Sequence, residues 1–118
     1  MSDEFCPVAE AAKLLGDKWL LMILRDLAAG PRRFKALEHT VTGISPSILA
    51  ARLRDLEHEK IVTRTSYNEI PPRVEYALSE KGHDAIAVIE ALRAYGEKWL
   101  VRGEPKDEPA HPLSPSNR

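Results

Sequence analysis

The stretch SPSILAARLRDLEHEKIVTRTSYNEIPPRVEYALSEKG, residues 45–82, decides how this chain folds. Ser45 and Pro46 open a helix: a serine hydroxyl accepts a free backbone N–H, and proline loses nothing where no intrahelical acceptor exists. Leu49, Leu53 and Leu56 repeat at i, i+4 and i+7, the spacing of one buried stripe, and the helix runs on to Glu59. At about 100° per residue, Ser47, Ala51, Arg54 and His58 face away from that stripe, with Ile48, Arg52 and Asp55 on its flanks. Val62 to Tyr67 and Val74 to Leu78 read as strands rich in β-branched and aromatic residues, and Asn68 to Arg73 joins them through two consecutive prolines. Ser79 then caps another helix. Helix, hairpin and helix in that order spell a winged helix-turn-helix: mainly α with a small β-hairpin. Such a fold suits placing one helix in a DNA major groove with a hairpin beside it.

Upstream, Pro7 to Leu15 is a short helix that starts on proline and stops before Gly16. Asp17 caps a second helix, Lys18 to Ala29, closed by Gly30-Pro31. Its apolar residues Trp19, Leu20, Met22, Ile23, Leu24 and Leu27 cover more than one face, which makes this helix the expected hub of the core. Phe34 to His39 forms a third helix, and Thr40 to Ile44, with Gly43, the turn after it. Downstream, Glu80 to about Val101 reads as one helix roughly 33 Å long, with Ala85, Ile86, Val88, Ile89, Leu92, Tyr95, Trp99 and Leu100 in a wide stripe. A core this small cannot cover such a stripe, so part of it asks for a partner chain. Residues 103–118 hold four prolines and one leucine, too little apolar surface to order themselves, and are expected to form a flexible tail after a single domain over 1–102.

The formal net charge of −1 across 118 residues excludes a globally basic nucleic-acid binder, yet the charge is unevenly placed. Residues 31–76 carry eight basic against six acidic side chains and the rest nine against twelve, so binding must rest on a few placed arginines rather than long-range steering. No run of 18 apolar residues occurs, and the first fifteen residues lack the basic start and apolar core of a signal peptide, so a soluble, cytoplasmic protein with no membrane contact is expected. Cys6 is the single cysteine, and His39, His58, His83 and His111 lie far apart, so neither an internal disulfide nor a metal site is expected, and no cofactor. With no histidine or carboxylate constellation around Cys6, a thiol enzyme is disfavoured.

Several of these stretches together resemble the HxlR family of bacterial winged helix-turn-helix regulators, which are MarR-like. They are Cys6-Pro7-Val8, Gly16-Asp17-Lys18-Trp19, Gly30-Pro31-Arg32-Arg33-Phe34, Gly43-Ile44-Ser45, Leu49 through Leu56, and Pro71-Pro72-Arg73-Val74-Glu75-Tyr76. The resemblance implies a homodimer with the first and last helices at its interface, binding a near-palindromic operator in double-stranded DNA and controlling nearby genes. It also implies, for several members, a response to electrophiles or oxidants through a cysteine at the position of Cys6.

The residues expected at DNA are Ser45, Ser47, Ile48, Ala51, Arg52 and Arg54 on the fourth helix, Arg32, Arg33 and Lys35 at the start of the third, and Arg73 at the hairpin tip. Phosphate contacts should outnumber base contacts. Arg73 follows two stiffening prolines that could aim it into a minor groove, although Glu69 and Glu75 are ready partners, as Asp55, Glu57 and His58 are for Arg54. Val8, Ile89, Leu92, Tyr95 and Trp99 are expected at the dimer interface. Cys6 precedes Pro7, so it occupies a helix cap where the positive dipole end favours a thiolate, while Asp3 and Glu4 oppose one. With no second cysteine, oxidation would end in a mixed disulfide with a small thiol, a bridge between subunits or a higher oxide. Two other readings stay open: a winged helix used only to dock proteins, and a regulator with a non-covalent effector held near Trp19, Tyr95 and Trp99.

Overall fold

The computed structural model describes residues 4–100. Their elements are α1 (Pro7–Leu15), α2 (Lys18–Leu27), α3 (Phe34–Thr40), α4 (Pro46–His58), β1 (Val62–Tyr67), β2 (Arg73–Leu78), α5 (Glu80–Asp84) and α6 (Ile86–Trp99). The tail expected over 103–118 lies outside the described residues. The order is that of a winged helix-turn-helix. Side-chain caps open four of the helices: Cys6 on α1, Asp17 on α2, Ser45 on α4 and Ser79 on α5 each accept a backbone N–H three residues on.

The core gathers around α2, whose Leu20, Ile23, Leu24 and Leu27 are buried against α3, α4, α6 and β2. Leu37 of α3, Leu49, Leu53 and Leu56 of α4, and Val41 and Ile44 of the intervening turn complete it. That turn needs Gly43, whose φ of 90° is poorly tolerated by residues with a Cβ. At its other end α4 stops with Lys60 at φ 64°, the Ile61 N–H donating to the Leu56 carbonyl at 2.9 Å and the Lys60 N–H to Glu57 at 3.0 Å. This is a Schellman closure, and buried Leu56 and Ile61 supply its apolar contact.

The wing is an antiparallel pair in register from Val62 opposite Leu78 to Tyr67 opposite Arg73. Only its base is buried, at Val62 and Leu78. Arg32 adds a third, one-residue rung, exchanging backbone hydrogen bonds of 2.9 and 2.8 Å with Tyr76.

The long terminal helix expected from Glu80 to Val101 is corrected to two. α5 ends at Asp84, Ala85 links it, and α6 is 14 residues, about 21 Å. The cause is Gly82: a Cβ there would lie 2.2 Å from the Ile61 carbonyl oxygen, so the first turn is pressed against the base of the wing. The Ala85 N–H reaches Gly82 and the Val88 N–H reaches Ala85, both tight i→i+3 bonds that redirect the chain.

Candidate nucleic-acid interface

On α4 the Ser45 hydroxyl accepts the Ile48 N–H at 3.1 Å and lies 3.4 Å from the Ser47 hydroxyl. Ser47, Arg54 and His58 are exposed and Ala51 is half-buried, so the outer stripe expected from the helical angle stands clear of the core. Ile48 is half-buried and packs on the core from the flank. Arg54 has no ion pair among the described residues, despite its acidic neighbours.

Arg52 differs from the expectation of a side chain turned to DNA. Its Nε donates to Asp17 Oδ2 at 2.9 Å and its Nη2 to Asp17 Oδ1 at 3.2 Å. The same Asp17 Oδ2 accepts the Leu20 N–H at 2.9 Å, so one carboxylate caps α2 and grips α4. The Arg52 hydrogen bond is the main cause that holds the Asp17 carboxyl below its ordinary value, against an opposing effect of burial. Near the other end of α2, Asp26 accepts Arg25 Nε at 2.9 Å and the Thr40 hydroxyl at the close of α3. Both helices of the helix-turn-helix are thus tied to α2 by carboxylates.

Arg73 is likewise engaged within its own chain. It donates to Glu69 at 2.7 Å and Glu75 at 2.8 Å, and its guanidinium lies 4.0 Å from the centre of the Tyr67 ring. The expectation of a cationic wing tip is corrected: the charge is neutralised in place, and the tip itself presents Ile70, fully exposed. Arg32 is half-buried by its backbone rung and donates from Nη1 to the Pro31 carbonyl at 3.0 Å. Arg33 sits at the cap of α3 without capping it by a side chain, and is exposed. Lys35 is also exposed, 3.9 Å from Glu38.

Arg64, for which the sequence suggested no role, is exposed on β1 opposite Tyr76 and has no ion pair among the described residues. Its position in a strand of the wing was the available signal. Among the described residues of 31–76, the cations without an ion pair are therefore Arg32, Arg33, Arg54, Lys60 and Arg64, with Lys35 only loosely paired.

At the cap of α1, Cys6 is exposed and its Sγ accepts the Ala9 N–H at 3.4 Å. α1 has no fully buried residue, only Leu14 and Leu15 half-buried on the core, and Val8 is 78% exposed. On α6, Leu92, Tyr95 and Trp99 are about half exposed, whereas Ile89 is buried against the core. Ile89 is thereby corrected from interface to core. An apolar groove of about 240 Å³ runs between α1 and α6, lined by Ala11, Ala12, Leu15, Leu21, Val88 and Leu92. Trp19, expected with Tyr95 and Trp99 around an effector, packs instead on the core beside Gly43.

Among the described residues no helix is long and apolar enough to cross a membrane, and no group of three or more His, Cys, Asp or Glu side chains is placed to hold a metal.

The profile of the HxlR-like helix-turn-helix family matches residues 14–104. The transcriptional regulator YodB of Bacillus subtilis is 38% identical over 105 residues, covering 88% of this chain and 94% of YodB. The reduced YodB structure superimposes with a TM-score of 0.71 at 38% identity, over 86% of this chain and all of that one. The redox regulator HypR in its oxidized form gives 0.75 at 31% identity, over 79% and 96%. A MarR-family regulator from Porphyromonas gingivalis gives 0.79 at 31% identity, over 85% and 98%. The relatives are transcriptional regulators rather than enzymes, and this chain belongs to the HxlR-like helix-turn-helix family.

Proposed function

We propose that this regulator binds DNA sequence-specifically as a homodimer and that Cys6 makes its binding responsive to oxidants or electrophiles. The observation that carries the DNA reading is the outer stripe of α4. Ser47, Ala51 and Arg54 lie along one side of a capped, core-anchored helix, small at the start and cationic further on. Small residues allow close approach to a groove, serine and arginine can bond base edges or phosphates, and Arg33, Lys35 and Arg64 stand ready for flanking phosphates. In a dimer the two α4 helices would enter successive major grooves about 34 Å apart on a near-palindromic operator. On this reading the protein acts in the cytoplasm.

The dimer is supported by α1 and α6, which leave Val8, Leu92, Tyr95 and Trp99 in water in a single chain. Such apolar exposure is what an interface core covers. Cys6 sensing is supported by an exposed thiol at the cap of α1 and by likeness to HypR and YodB, the former named a redox regulator. A two-electron oxidant such as diamide would join the Cys6 sulfur to a second thiol, taking up both protons and both electrons.

The test is fluorescence anisotropy on DNA from upstream of the protein's own gene, with and without diamide, for wild type and Cys6→Ser. The expected result is selective binding that falls on oxidation in the wild type alone. Selective binding indifferent to diamide in both proteins removes the sensor and keeps the DNA reading; an equal response in Cys6→Ser also removes it.

A further inference from the structure

Arg52 and Arg54 are two residues apart on α4, so their side chains leave the helix about 200° apart and cannot both face one groove. Arg54 points outward. Arg52 points to α2, where both donors used are taken by a carboxylate whose own position is fixed by capping that helix. We propose that Asp17 and Arg52 form a positioning pair that sets how α4 is presented to DNA, with Arg52 acting from behind the helix and touching no phosphate. This rests on the DNA reading above.

Three features support it. The first is bidentate geometry, which fixes direction as well as distance, so rotation of α4 about its axis must break one of the two bonds. The second is local charge. The cleft beside the pair, about 320 Å³, is lined by Lys13, Asp17, Leu20, Arg52, Asp55 and Glu59, with Leu14 and His58, and with neutral histidine its acidic side chains outnumber its basic ones by one. A phosphate entering there would meet net repulsion. The third is placement along α2. Asp17 holds α4 near the start of α2 while Asp26 holds the end of α3 through Thr40, so the two helices that must move as one unit are pinned to the same rod.

A phosphate ligand and a positioning residue respond differently to mutation. Removing a side chain that binds one phosphate makes the log–log dependence of affinity on salt shallower by about 0.9. Removing the negative charge of Asp17 would strengthen a phosphate-binding Arg52 by releasing it, but would loosen a positioned helix. The experiment is therefore anisotropy of the full chain on its upstream DNA across a salt series, for wild type, Arg52→Ala, Asp17→Asn and the double variant. Asn still caps a helix, so Asp17→Asn keeps α2 folded if Arg52→Ala does not.

The expected result is an about tenfold loss of affinity for each single variant with the salt slope unchanged, and a double variant no weaker than either single. A slope shallower by about one in Arg52→Ala, or tighter binding by Asp17→Asn, overturns the proposal while leaving the DNA reading intact. Absence of selective binding by the wild type overturns both.

Discussion

The helix-turn-helix half and the α1/α6 end solve the same problem of apolar surface in opposite ways. In the former, Leu37, Val41, Leu49, Leu53 and Leu56 are wholly or almost wholly buried, and two carboxylates of α2 fix the orientation of the helices. In the latter, α1 has only Leu14 and Leu15 half-buried on the core and α6 fully buries only Ile89, while Leu92, Tyr95 and Trp99 are about half exposed. One half is finished within a single chain and keeps its polar outer stripe for a ligand. The other leaves apolar surface open in a single chain, and in the proposed homodimer a second copy of the same two helices would cover it with matching chemistry.

The same substitution in the two halves should break this contrast most visibly. Leu53→Glu places a carboxylate at a site 2% exposed, and the unpaired charge should remove most of the folded population, read by far-ultraviolet circular dichroism. Leu92→Glu, half exposed in one chain, should leave the fold and its thermal transition in the monomer almost unchanged. Sedimentation should instead show loss of the dimer, and DNA affinity should fall with it. A folded Leu53→Glu, or a fully dimeric Leu92→Glu, would erase the distinction.

The smallest effect concerns acid. Asp17 has its folded carboxyl below the ordinary value, so its contribution to stability is complete above about pH 4, where the unfolded group titrates, and is lost as pH falls through the folded value. The pair is about one-third exposed on each side, so screening keeps the effect at about 0.5–1 kcal/mol. Asp17→Asn should therefore be less stable than wild type by that amount at pH 7, with the gap closing below pH 4 in urea titrations. A gap that widens in acid would contradict the assignment.

Much of this was legible in the residues because its causes are local. The Cys6-Pro7 cap, the Ser45-Pro46 cap and the β-branched run Val62–Tyr67 each announce an element through its own chemistry, and α1 and β1 lie where their sequences place them. The missed features depend on distant parts of the chain. The Arg32–Tyr76 rung is one residue long and has no periodicity to read. The break at Ala85 follows Gly82, His83 and Asp84, weak helix formers, but the reason for the glycine, the Ile61 carbonyl behind it, lies about twenty residues away. Arg52 meets Asp17 across 35 residues, and nothing near either one reveals the other. Ile89 and Leu92 share one apolar stripe, and only packing against α2 separates core from open surface. For Arg73 the deciding partners, Glu69 and Glu75, were visible nearby, and the folded wing selects them over an outward pose.

The central claim is that the outer stripe of α4 reads DNA. The most direct measurement compares wild type with Arg54→Ala by anisotropy on upstream and scrambled DNA across a salt series. The account predicts selective, salt-sensitive binding by the wild type, and for Arg54→Ala weaker binding with either a slope shallower by about 0.9 or reduced preference for the upstream sequence. Equal affinity, slope and selectivity in the two proteins would contradict it.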